Sequence, residues 1–409
     1  MSSVDESEGE TSGLRSPSRK RARLENEDEL HVLHELQPAP QLDIVRDDTY
    51  YLSDGSCILQ VENILFNVHR TVLSKDSSSF SAMFDMPEHP SHQVEGKSDE
   101  CPIVLTGDTV QEFKNFLWTL YALPHELVQI STVHTDISKL IDIARVANKY
   151  SYKSVETWAL DVLDDYVNRR PPPLIPPSDT PNLDELVAEK GAEVSRVMRL
   201  AHQCDHQPLL TSMITTLRKL MGVSIRYAHL AMTLADELNL RALRGAAYLE
   251  VMQKAEVVAR RDAGGITGGA VVNSFGDDTI DDEGRLVVTR EQQLRLLSGY
   301  YRLTAVWERL RTKTLNFEHA ATCGATWHQQ QCAQSWLDFW KEKTRSDGVL
   351  TLGLADVLGR LKVLARECDR WGAATYMHHE CRMVARKSIQ DKIKEIEEAL
   401  PDYFVEANI

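Results

Sequence analysis

Three neighbouring stretches decide the fold: Thr49-Tyr50-Tyr51-Leu52, Asp54-Gly55-Ser56-Cys57-Ile58-Leu59-Gln60-Val61 and Ile64-Leu65-Phe66-Asn67-Val68-His69-Arg70-Thr71-Val72-Leu73. The first two hold short β-prone runs either side of Asp54-Gly55. That dipeptide tolerates positive φ, so the reading is a tight hairpin turn there. Ile64 to Val68 is a third apolar run. Val72 and Leu73 then open a helical set, and Phe80-Ser81-Ala82-Met83-Phe84 reads as a second helix.

Further along, Pro102-Ile103-Val104-Leu105 is short and β-branched, and it is reached through the polar loop Glu88 to Glu100. Three amphipathic helices are expected after it. The first has Phe113, Phe116, Leu117, Leu120 and Tyr121 on one face, and the second Ile137, Leu140, Ile141, Ala144 and Ala147. The third carries Val155, Trp158, Ala159, Val162, Leu163, Tyr166 and Val167. Strands, helices, a strand and more helices make an α+β unit, a small sheet flanked by helices.

These blocks, with the Asp43-Ile44-Val45 start and the late Ala147-Asn148-Lys149-Tyr150, resemble a BTB/POZ domain over residues 41–170. The chain as a whole is similar to fungal BTB proteins that carry a long helical C-terminal region. The resemblance implies docking of other polypeptides, not catalysis. It implies homodimerisation through the first strand and helix, with Asp43, His69 and Arg70 at positions that shape a charged groove. A structural salt bridge is an equal reading of Asp43 and Arg70. Met86-Pro87-Glu88 has the hydrophobic-x-Glu form that some family members insert into the cullin scaffold of E3 ubiquitin ligases, so Met86 and Glu88 join the partner-binding candidates.

At 409 residues, 42% hydrophobic and 26% charged, the chain can bury two ordinary cores. No apolar stretch approaches the roughly 20 residues that a membrane helix needs, and the polar, acidic Met1 to Glu10 is the opposite of a secretory leader. Seven scattered cysteines suit reduced thiols. The expected location is intracellular, nuclear and/or cytoplasmic. A formal net charge of -15 argues against direct nucleic-acid binding. The basic cluster Arg19-Lys20-Arg21 with Arg23 lies in a leader, residues 1–40, whose low hydrophobicity and high charge predict disorder. It reads either as a nuclear import signal, which phosphorylation at Ser16-Pro17 would weaken, or as a solvated tail.

Prolines at 171, 172, 173, 176, 177 and 181 mark a linker over 171–182. Beyond it the chain reads as mostly α-helical over 183–260 and 287–409, with a Gly/Asp-rich loop at 261–286. Expected core faces include Leu297, Tyr300, Tyr301, Trp307 and Leu310, and Leu350, Leu354, Val357, Leu358, Leu361 and Leu364. Thr289 and Gln292 have capping-box spacing. The loop fits neither a calcium-binding loop nor a phosphate cradle, and no fixed-period repeat points to a propeller. Neither Gly-x-Ser-x-Gly nor His-Glu-x-x-His occurs, so no catalytic residue is nominated and the expectation is that the chain is not an enzyme.

One set carries metal chemistry: Cys323, Cys332, His378 and Cys381. Thiolate and imidazole are the usual ligands of closed tetrahedral zinc, and His-x-x-Cys suits a short metal-binding turn. The resemblance implies a Cys pair before a Trp-containing helix, here that of Trp336, and a later Cys-x-x-Cys whose first position is His378 in this chain. His328 and His379 compete for the same role. The other reading is of cysteines buried as small apolar residues, which is the expectation for Cys368. The two functional classes left open are a substrate adaptor of a cullin-based E3 ubiquitin ligase and a nuclear transcriptional co-regulator or scaffold acting through BTB dimerisation. Structural zinc is the one cofactor considered.

Overall fold

A computed structural model describes residues 43–86, 95–132, 135–177, 183–259, 279–324, 326–371 and 377–405. The basic cluster Arg19, Lys20, Arg21 and Arg23, and Glu88, lie outside the described residues.

The first sheet contains β1 (Val45–Tyr51), β2 (Cys57–Val61), β3 (Ile64–Val68) and β4 (Ile103–Leu105), in the order β1-β3-β2-β4. The hairpin expected at Asp54-Gly55 is not formed. β2 and β3 make the antiparallel hairpin across Glu62 and Asn63, with Glu62 at φ 51°, while β1 runs parallel to β3 on its far side. Because β3 takes partners on both edges, the Asp54-Gly55 turn carries the chain past β3 without pairing the strands it joins. Gly55 is required there for close approach: a Cβ would lie 2.6 Å from the Asn67 carbonyl oxygen.

Helices α1 (Arg70–Leu73) and α2 (Ser79–Phe84) follow, joined through a 3-10 turn at Lys75–Ser77. After β4 come α3 (Val110–Tyr121), α4 (Pro124–Thr132), α5 (Ile137–Lys149) and α6 (Lys153–Val167). Four helices therefore stand where three were expected. α4 was missed because its nine residues bury only Ile130 fully, and a single apolar anchor makes no stripe. Starts are set locally: Thr109 and Glu112 form a capping box on α3, and the Asp136 carboxylate accepts the Lys139 N–H at α5.

Under this sheet lies an aromatic core. Phe66 meets Phe113 edge-on at 5.2 Å between ring centroids, Phe116 meets Tyr152 likewise at 4.9 Å, and Phe80 stacks on Tyr150 at 4.7 Å. α5 belongs to two cores at once. Val146 and Ala147 pack beneath the sheet, while Ile143 and Ala144 join a larger core that runs from Ile130 to Phe404.

That larger core is helical: α7 (Leu183–Gln203), α8 (Gln207–Met221), α9 (Ile225–Glu237), α10 (Arg241–Lys254), α11 (Arg290–Thr312), α12 (Thr326–Lys343), α13 (Asp347–Leu350), α14 (Val357–Arg370) and α15 (His379–Tyr403). A parallel pair, β5 (Val257–Ala259) and β6 (Leu286–Val288), sits between α10 and α11. The proline stretch redirects the chain without separating the packing, since Leu174 within it is buried in the same core. Gly245 brings α10 against the backbone of α15, where a Cβ would stand 2.7 Å from the Pro401 nitrogen.

Thr289 and Gln292 do form a capping box on α11. The face of α11 is offset from the expected one: Leu296, Leu303, Val306, Trp307 and Leu310 are buried, whereas Leu297, Tyr300 and Tyr301 are exposed. The two rows lie one residue apart, and periodicity alone does not choose between them. Leu350 and Leu354 are likewise exposed, because they end and follow the four-residue α13 and are not part of α14.

Candidate functional site

Two places gather chemistry. The first is the outer face of the first sheet with the end of α2. Among the described residues β1 is an outermost strand, and Ile44 just ahead of it and Val45 at its start are 54% and 51% exposed. Next to them, Arg46 grips the Asp99 carboxylate through Nε at 2.8 Å and Nη2 at 2.5 Å, and the Tyr51 hydroxyl donates to the same carboxylate at 2.6 Å. The Tyr51 bond and the Arg46 charge hold the Asp99 carboxyl below its usual range, against some desolvation.

The residues nominated from sequence divide. Asp43 is exposed just ahead of β1. His69 lies between the Tyr121 hydroxyl, 3.0 Å from its Nδ1, and Asp54, 3.3 Å from its Nε2. Arg70 donates to the Phe84 carbonyl at 3.2 Å and lays its guanidinium over the Phe84 ring at 4.4 Å. His69 and Arg70 therefore tie the start of α1 to α3 and α2. Met86, directly after α2, is 64% exposed and offers a free apolar side chain.

Buried carboxylates in this part of the molecule are paired internally, as at Asp47 and Asp108. The Asp108 carboxylate accepts from Lys149 Nζ and the Tyr150 hydroxyl, both at 2.6 Å. Burial together with that carboxylate pushes the Tyr150 phenol well up from its ordinary value. Burial also raises the Cys57 thiol to about 11, which leaves it a poor nucleophile.

The second place is where α11, α12 and α15 converge. Cys323, Cys332 and Cys381 come together as nominated, but the fourth member of the cluster is His319, and the ligand atoms of these four lie within 4.8 Å of one another. His378 lies outside that set. Its backbone N–H donates to Cys332 Sγ at 3.2 Å, and its Nδ1 is buried with no hydrogen-bond partner among the described residues. His319 and Cys323 sit on the irregular segment after α11, Cys332 on α12, and Cys381 in the first turn of α15. The segment and the end of α11 are pinned by indole donors: Trp336 Nε1–H bonds the Leu315 carbonyl at 2.8 Å, and Trp340 Nε1–H bonds that of Leu310, in α11, at 2.7 Å. Phe317 meets both the His319 and Trp336 rings edge-on. Burial, with Cys381 and Cys332 alongside, pushes the Cys323 thiol up to about 12. His319 escaped the sequence reading because the paired cysteines drew attention to 378; its His-x-x-x-Cys spacing to Cys323 was the signal available. Cys368, in contrast, is buried on the apolar face of α14, as expected.

No helix among the described residues is long and apolar enough to cross a membrane. A comparison with curated proteins found no match for this chain. Residues 52–164 match the family model of the BTB/POZ domain. That stretch runs from the end of β1 through β2, β3, β4 and α1 to α5 into α6, with the mostly helical region following it. Residues 52–164 therefore form a BTB/POZ domain, a protein–protein interaction module, within this longer chain.

Proposed function

We propose that this chain is a non-catalytic adaptor or scaffold that docks one polypeptide through its BTB/POZ domain and holds a second on its helical region. The observation that carries the reading is the domain match over 52–164, beside β1, an edge strand among the described residues that begins at exposed Val45 just after exposed Ile44. An unpaired strand edge carrying apolar side chains is a template for another chain, and a second copy of this protein is one such occupant.

The first partner in this reading is a cullin scaffold, which makes the protein a substrate adaptor of an E3 ubiquitin ligase. Met86-Pro87-Glu88 supports it, and Met86 is exposed immediately after α2, where an apolar side chain can enter a partner's pocket. The adaptor performs no chemistry; it raises the local concentration of a substrate beside the ligase. The second reading is a nuclear transcriptional co-regulator acting through BTB dimerisation, which the basic cluster Arg19-Lys20-Arg21 with Arg23 favours.

Titration of the purified full chain with a purified cullin N-terminal region separates the two. The adaptor reading expects binding that weakens about 10-fold or more in Met86→Asp or Glu88→Ala, the loss typical of an interface anchor. Absence of binding, together with a homodimer that recovers chromatin factors, favours the co-regulator.

A further inference from the structure

We propose that His319, Cys323, Cys332 and Cys381 form a structural zinc site that fastens the start of α15 to α12 and to the segment after α11. This inference does not rest on the docking reading.

The geometry matches what tetrahedral zinc requires. With Zn–S of about 2.3 Å and Zn–N of about 2.0–2.1 Å, the edges of the coordination tetrahedron are about 3.8 Å between sulfurs and about 3.6 Å between sulfur and nitrogen. Cys323 Sγ and Cys332 Sγ are 3.8 Å apart, and Cys381 Sγ and His319 Nδ1 are 3.7 Å apart. The remaining separations fall within 4.8 Å, so a small inward movement of each side chain completes the shell. Three soft sulfurs and one imidazole, all but His319 buried, form a Cys3His donor set suited to zinc.

Metal binding, not the metal-free site, would turn these thiols into thiolates, and the surroundings offset part of the charge so created. Two backbone N–H groups are directed at sulfur: Ala320 to Cys381 at 3.4 Å and His378 to Cys332 at 3.2 Å. Donors placed on ligating sulfurs are the usual outer shell of such a centre. Cys381 also sits in the first turn of α15, where the helix dipole favours negative charge. Zinc with three thiolates and a neutral imidazole carries a net charge of -1, which these dipoles offset. His378 acts here through its backbone, as a positioning residue.

The test uses the purified full chain under reducing conditions. Elemental analysis is expected to find about one zinc per chain, and cobalt substitution to give the visible bands and thiolate charge-transfer absorption of a tetrahedral site. Strong chelation should lower the thermal midpoint by several degrees. His319→Ala loses the metal, whereas His378→Ala keeps it. His319→Cys, which restores a four-ligand set, retains one equivalent with a shifted cobalt spectrum, so the assignment is readable even if the alanine variant folds poorly. Four results would overturn the proposal: no metal with or without reconstitution, a Cys323–Cys332 disulfide in the freshly purified protein, failure of His319→Cys to take up metal while remaining folded, or metal lost from His378→Ala and kept by His319→Ala.

Discussion

The sheet-bearing part of this molecule and its helical part are held together differently. Helix starts are set by near neighbours in both, as in the Thr109–Glu112 box, the Asp136 cap and the Thr289–Gln292 box. The longer ties differ in reach: around the first sheet they extend to the 79 residues between Tyr152 and Leu73, whereas in the helical region Gly245 lies against Pro401 and Arg241 bonds Asp402, 161 residues away. Locally written structure leaves a recognisable motif in the sequence, whereas structure closed at long range leaves single residues whose partners are unmarked. The two parts also share material, because α5 and α6 supply side chains to the larger core.

That sharing gives the largest expected effect. A fragment ending at Arg170 keeps the whole first sheet but uncovers Ile143, Leu160, Leu163 and Val167, which belong to the core that continues into α7 and α8. It should elute as aggregate in size-exclusion chromatography or unfold without cooperativity. A soluble monomer with a sharp urea transition would show that the parts are more separable than their packing implies.

Next come paired core truncations, Phe66→Ala beneath the sheet and Trp340→Ala in the helical core, each expected to cost about 3–5 kcal/mol in denaturant unfolding. Both side chains are buried, and Trp340 also satisfies the Leu310 carbonyl at the end of α11. If the shared helices couple the regions, both substitutions shift one common transition. Two separate transitions, each moved by only one variant, would break the comparison.

Gly245→Ala sharpens it on a smaller scale. The new methyl meets backbone at Pro401, which cannot move aside as a flexible side-chain tip would, so a loss of about 1–3 kcal/mol is expected, with α15 the segment whose hydrogen-exchange protection falls.

The smallest effect is a pH dependence at Asp47. Burial disfavours its charge, yet Lys114 Nζ at 2.6 Å and the N–H groups of Tyr50 and Thr49 outweigh burial and hold the carboxyl below its ordinary 3.8. A depressed folded-state value means that the contribution is full above about pH 5 and is lost as pH falls through and below 3.8. Asp47→Asn should therefore be less stable than the parent near neutrality, and the difference should shrink in acid. A gap unchanged down to pH 3 would assign the effect to packing.

Much of the first region was legible, and for a physical reason. Short β-branched runs and helix faces three and four residues apart are local signals, and they lie in one stretch; the capping box read from sequence, Thr289 with Gln292, is equally local but belongs to α11. The Asp54-Gly55 dipeptide announced a turn correctly, but it could not say that β3 would separate the two strands it connects. In the helical region the existence of helices was legible and their rotation was not. On α11, Leu296 and Leu297 are adjacent and either can start an apolar row; packing buries Leu296 and leaves Leu297 exposed. The Cys/His set was found to three of its four members. The fourth depended on the path of an irregular segment, which no periodicity encodes.

The most direct test of the central claim, that the first sheet and the end of α2 dock other polypeptides, is quantitative affinity capture of the full chain beside a Val45→Asp, Met86→Asp variant with unchanged thermal midpoint. The account predicts that a cullin, a second copy of the chain, or both are recovered with the parent and depleted about 10-fold or more with the variant. Equal recovery of those polypeptides with both proteins, or recovery of neither with the parent, would contradict it.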